Sequence, residues 1–173
     1  MFFFLAIFVT RYGYEEKREL GIYEHERGWE NVFANGILPA ILAVLSSTLG
    51  PIPFICSIAA ITSDKFGSEI GVMEANDPVS IITFAKVKPG TSGAISMLGS
   101  IASILGSTLI ALGTVYLFSL TPFMALQIAL AGVIGSVADT FFGYFEERGI
   151  GTKGTTNFIC SLVGAIIGYF LIR

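Results

Sequence analysis

The run PFMALQIALAGVIGSVADTFFGYFEERG, residues 122–149, decides the fold. Its apolar part, 122–145, exceeds the ~20 residues that a helix needs to cross a bilayer core. It still carries one carboxylate, Asp139, before Glu146, Glu147 and Arg148 close it. Comparable stretches lie at 31–49, 52–71 and 93–118, and a slightly shorter one at 156–172. Composition agrees: the 173 residues are 53% apolar and 13% charged, where a water-soluble domain has about a quarter charged. Mean hydropathy is +0.76. A net charge of −3 without a basic block leaves no footprint for nucleic acid. The expectation is an all-α, polytopic membrane helix bundle over 1–173, with about five full crossings.

The opening MFFFLAIFVT is too short to cross alone, since nine helical residues rise only about 14 Å. It lacks the basic flank and small-residue cleavage site of a signal peptide, so it reads as the end of a longer helix or a half-inserted anchor. Nine of the ten Lys and Arg fall in 11–30, 64–91 and 146–155, and only Arg173 lies opposite. That bias assigns the polar ends to the cytoplasm. His25 reads as a solvated loop residue, and Cys56 and Cys160, far from any partner, as small core residues.

An internal duplication organises the rest. ITSDKFGSEIG (61–71) is followed by KPGTSGAIS (88–96), and SVADTFFGYFEERG (136–149) by GIGTKGTTN (149–157). Each copy, about 31–100 and 93–173, gives an Asp-bearing helix end, a Gly-Thr-x-Gly segment and a helix start. Asp64 and Asp139 lie where ionisable groups are costly, which marks them as functional candidates. Lys65 and Glu69 pair on another face, at i and i+4. The glycine segments, Gly90-Thr91-Ser92-Gly93 and Gly151-Thr152-Lys153-Gly154, precede helices whose free N–H groups suit phosphate. Lys86, Lys88 or Lys153 would add charge. Arg27, Asn31 and Asn35 recur every four residues and give one polar face, and Asn157 is placed similarly on the last helix. Ser96, Ser100, Ser103 and Ser107, with Gly99 and Gly106, read as a packing surface.

These features fit a magnesium-assisted reaction on phosphates with a lipid partner, since Mg²⁺ favours one or two carboxylates plus phosphate oxygens. No histidine base is needed if the acceptor is already a phosphate monoester.

The runs RGWENVFANGILP, SDKFGSEIG, KPGTSGAISMLG, GVIGSVADTFFG and TKGTTN also resemble the successive motifs of the integral-membrane family that includes phytyl-phosphate kinase. That family is distantly similar to polyprenol kinases and CTP-dependent membrane cytidylyltransferases. The resemblance runs from about Tyr14 to the end. It implies phosphorylation of an isoprenoid monophosphate, such as phytyl or geranylgeranyl phosphate, by a nucleoside triphosphate, CTP above others. By position, Asn35 and Gly36 match the family's Asn-Gly. Asp64, Ser68 and Glu69 match its acidic motif, and Gly90, Thr91 and Gly93 its glycine loop. Asp139, Gly143 and Asn157 match its second half. Lys65 departs from the family's usual Thr, and the chain begins inside what looks like the family's second helix.

The expected site therefore has Asp64, Glu69 and Asp139 on Mg²⁺, with Lys88 and Lys153 on donor phosphates. Ser68, Gly90, Thr91, Ser92, Gly93, Gly154, Thr155 and Asn157 hold the nucleotide, and Arg27, Asn31 and Asn35 orient the acceptor. Nucleotidyl transfer to a lipid, polyprenol phosphorylation and a small transporter are the alternatives. The expected partners are isoprenoid lipid phosphate, nucleotide and membrane lipid, with homo-oligomerisation left open.

Overall fold

Pro53 and Pro122 stand in the first turns of two long helices, where the missing N–H would have had no helical acceptor. The computed structural model describes residues 1–19, 21, 29–74 and 76–171, apart from the side chains of 29–31 and 171. Among these the order is α1 (Phe2–Arg11), α2 (Tyr14–Glu19), α3 (Trp29–Val44), α4 (Ser46–Leu49), α5 (Ile52–Gly71), β1 (Val79–Ser80), β2 (Ala94–Ile95), α6 (Met97–Phe118), α7 (Pro122–Glu146) and α8 (Lys153–Leu171). Helices α6 and α7 are each long and apolar enough to cross a membrane. Helix α5 is the central post, packed against α6, α7, α8, α3 and α1.

Small residues let the helices close on that post. A Cβ on Gly132 would stand 3.0 Å from the Ala59 Cβ, and one on Gly164 would stand 2.7 Å from the Cys56 carbonyl oxygen. Such approach is how helices associate where apolar burial offers little drive. Hydroxyls reach across the same seams: Ser107 Oγ donates to the Ala129 carbonyl at 2.7 Å and Ser63 Oγ to that of Ser103 at 2.9 Å. Ser57, Ser63, Ser107 and Ser161 are fully buried, whereas Leu112, Tyr116, Phe123, Leu126 and Leu130 are exposed. Large apolar side chains outside, with buried hydroxyls hydrogen-bonded between helices, suit an apolar solvent. Cys56 and Cys160 are free and buried.

Several boundaries differ from expectation. The stretch 31–49 divides at Leu45 into α3 and α4, and the 16 residues of α3 rise only about 24 Å. Residues 93–96 belong to a loop and a strand, and α8 begins earlier than expected, at Lys153. The all-α expectation misses a two-stranded antiparallel ladder, Val79 opposite Ile95 and Ser80 opposite Ala94. Pro78, Pro89, Gly90 and Gly93 bar a helix between α5 and α6, and strand pairing gives those backbone groups partners. Helix α1 is short, with Val9 buried against Phe66 and Ala102.

A candidate active site between two aspartates

Ala60 of α5 lies against Gly135 of α7, where a Cβ on the glycine would come within 2.5 Å of the Ala60 Cβ. One helical turn further on, at i+4 on each helix, stand Asp64 and Asp139. The close approach of the two backbones thus brings both aspartates to the wall of one cavity. Asp139 is 3% exposed. Its Oδ2 takes Lys153 Nζ at 3.4 Å, while Oδ1 is buried without a donor, alone in this among the described side chains.

Both aspartates line a cavity of about 760 Å³. Its charged lining is Asp64, Glu69, Asp139 and Glu146 against Lys17, Lys65 and Lys153, so the carboxylates outnumber the ammonium groups by one. Ser68, Gly90, Thr91, Ser92 and Gly93 line it as well. The structure therefore gathers most of the expected site from α5, α7, the 72–96 loop and the start of α8.

Glu69 does not join the aspartates. Its Oε2 accepts Lys17 Nζ at 2.8 Å, Lys65 Nζ pairs with Oε1, and the Thr10 hydroxyl donates to Oε1 at 3.1 Å. A carboxylate claimed by two ammonium groups is a poor further metal ligand, and among the described residues no three His, Cys, Asp or Glu side chains gather for a metal ion. The three-carboxylate expectation is thus reduced to the Asp64–Asp139 pair. That pair suits a divalent cation on its own terms, because Mg²⁺ takes one or two carboxylates and fills its octahedron with water and phosphate oxygens. The partnerless Oδ1 is the vacant donor such an ion would use.

The first glycine segment differs from a phosphate loop set on a helix start. Strand β2 separates it from α6. Two N–H groups of the first turn of α6 are already met, Gly99 N by Ser96 Oγ at 3.0 Å and Leu98 N by Glu74 Oε2 at 2.8 Å. Ser92 N donates to Glu147 Oε1 at 2.7 Å and Ser92 Oγ to Glu146 Oε1 at 3.3 Å, fastening the loop to the end of α7. In the second segment, Thr152 and Thr155 bond each other's backbone N–H with their hydroxyls, at 2.8 and 3.4 Å, a reciprocal cap on α8.

Other expected contacts fall elsewhere. Lys88 is exposed and does not line the cavity. Gly154 and Thr155 line a separate, mostly apolar groove of about 660 Å³ with Phe33, Ala34, Phe158 and Ile159, between α3 and α8. Asn157 is buried in α8 and Asn35 half-buried in α3, neither on the cavity wall. Arg27 and the side chain of Asn31 lie outside the described residues.

With this geometry in place, comparison with known proteins is informative. The model of the integral membrane protein family DUF92 matches residues 1–165. The chain belongs to that family. An uncharacterized membrane protein of Methanocaldococcus jannaschii is 40% identical, over 98% of this chain and 73% of its own length. An uncharacterized membrane protein of Synechocystis is 30% identical, over 96% and 69%. The chloroplastic protein VTE6 of Arabidopsis thaliana is 26% identical, over 96% of this chain and 54% of its own length. No solved structure matches the chain significantly.

Within this DUF92 chain, three contributors escaped the sequence reading: Lys17 as the partner of Glu69, Glu74 as a cap and Glu147 as an anchor of the glycine loop. Their only signal was a charge in a polar stretch beside an apolar run, and that does not name a partner.

Proposed function

We propose that this chain forms the membrane-embedded core of a kinase that phosphorylates an isoprenoid monophosphate, such as phytyl or geranylgeranyl phosphate, to the diphosphate. The donor is a nucleoside triphosphate, with CTP the leading choice. Membership of DUF92 and similarity to VTE6 support the class. The chain spans about half of VTE6, so the activity is proposed for this core and not carried over whole. The observation that carries the reading is the buried, partnerless Asp139 Oδ1 beside Asp64, at the wall of a cavity with room for phosphates.

In this scheme α3 continued by α4, together with α5, α6, α7 and α8, makes the five crossings and α1 a partial one, with the polar ends at the cytoplasmic face. Each sequence half supplies one aspartate. Mg²⁺, when bound, neutralises phosphate charge. An acceptor phosphate oxygen, already ionised, attacks the γ-phosphorus while the bond to the β–γ bridging oxygen breaks and CDP leaves. No base is required, and positioning with charge neutralisation carries the catalysis. Lys153, anchored on Asp139, is placed to meet the charge that develops. The apolar α3/α8 groove, whose lining flanks Lys153 in sequence, suits the prenyl tail.

The test uses purified protein, phytyl monophosphate, Mg²⁺ and CTP labelled at either the α- or the γ-phosphate. Only γ-label should enter the lipid. Entry of α-label would instead identify a cytidylyltransferase. Absence of both, with uptake of lipid phosphate into proteoliposomes, would overturn catalysis in favour of transport.

A further inference from the structure

The cavity has a cation-seeking pole at Asp64 and Asp139, and the Glu69 cluster supplies an opposite pole. Lys17 is 2% exposed and gives its ammonium to Glu69 Oε2 at 2.8 Å, the Val9 carbonyl at 3.2 Å and the Thr10 carbonyl at 3.4 Å. An ammonium has three donors, so Lys17 has none to spare. Lys65 is different. It lines the cavity, its side chain is 25% exposed, and its ion-pair partner is Glu69. Two of its donors remain for a ligand.

We infer that Lys65 binds a phosphate oxyanion inside the cavity, with Glu69 and Lys17 as positioning residues that hold it there. Lys17 offsets the charge of Glu69, and Glu69 restrains the long Lys65 side chain at the cavity wall. Lys65 follows Asp64 directly in α5, so one turn of one helix would offer a carboxylate to a metal ion and an ammonium to a phosphate. This rests on the reading that the cavity takes phosphorylated substrates. The anion could be the donor polyphosphate or the lipid monophosphate, which share the same oxyanion chemistry.

The experiment measures binding of inorganic pyrophosphate and, separately, of geranylgeranyl monophosphate to the full chain in lipid nanodiscs with Mg²⁺. Lys65→Ala should weaken one of them by on the order of 10- to 100-fold, the usual worth of a hydrogen bond to a charged group. The probe affected names the source of the anion. Lys65→Arg should restore most of the affinity, Glu69→Gln should give an intermediate loss, and Lys65→Gln provides a second variant close to the native shape. Thermal melting near wild type separates a lost ligand from a lost fold. Unchanged affinity of Lys65→Ala and Lys65→Gln for both probes overturns the inference, as does a wild-type chain that binds neither. Anion binding lost in these variants by a chain that transfers no phosphoryl group would sink the kinase reading and leave this one standing.

Discussion

Gly93 and Gly143 meet backbone to backbone: a Cβ on Gly143 would stand 2.8 Å from Gly93 N, and one on Gly93 would stand 2.5 Å from Tyr144 N. This contact seats the loop after α5 on α7, one turn beyond Asp139. Gly93 also has φ +79°, a conformation that costs an L-residue roughly 1–2 kcal/mol. Gly93→Ala should therefore lift the loop off α7, lowering the apparent melting temperature in detergent and weakening phosphate binding together. Gly93→Ala combined with Gly143→Ala should cost less than the sum of the two, because both break one contact.

Neutralising an aspartate should silence the protein at little net change in stability, because relief of the adjacent carboxylate offsets loss of the Lys153 ion pair. Asp139→Asn keeps the shape, removes one of two adjacent carboxylates and gives the site a donor. The expected outcome is a melting temperature near wild type, with phosphoryl transfer reduced at least ~100-fold if Asp139 holds the metal. A paired melt and transfer assay reads both halves, and a fall in stability would mean that Asp139 is structural.

Magnesium should raise the melting temperature of the wild-type chain. Selective binding to the folded state at one hundred times its dissociation constant contributes about 2.7 kcal/mol. Chelation should reverse the shift, and Asp64→Asn or Asp139→Asn should abolish it. An equal shift in these variants would place the ion elsewhere.

Lys17→Met should loosen α1 and α2 from α5. Removing one partner of a buried ion pair costs ~3–5 kcal/mol, and the low end applies because Glu69 keeps Lys65 and Thr10. Limited proteolysis should cut 11–21 faster in the variant, and a double-mutant cycle with Glu69→Gln should report a coupling of about 1 kcal/mol or more.

Two neighbouring substitutions should differ sharply in cost. Ser107→Ala loses one interhelical hydrogen bond, worth about 0.6 kcal/mol in a membrane bundle. Gly132→Val inserts bulk where Ser107 and Ala59 already touch the glycine and should abolish monodisperse protein on gel filtration.

Asp64 and Asp139 were legible as candidates because an ionisable group inside an apolar run is costly. The close approach that brings them together, Ala60 on Gly135 four residues earlier on each helix, is a tertiary contact that the sequence does not mark. Glu69 was misread because its neutralising partner, Lys17, lies 52 residues away, and an acid in an apolar helix looks the same with or without it. The pairing of Lys65 with Glu69, a local i and i+4 relation, was read correctly. The glycine loop was placed on a helix start because nothing local shows that Glu74 and Ser96 have already taken those amides, or that Val79 faces Ile95.

The segment 72–96 is tied down by acids that grip main-chain amides, Glu74 to Leu98 N and Glu147 to Ser92 N. An amide is present whichever side chain sits there, proline aside. The Glu147 tether therefore survives a change of side chain at Ser92, provided that Glu74 and Gly93 within the stretch are kept. Exchanging this strap between relatives should alter which guests are admitted, while the helical chassis beneath keeps its shape.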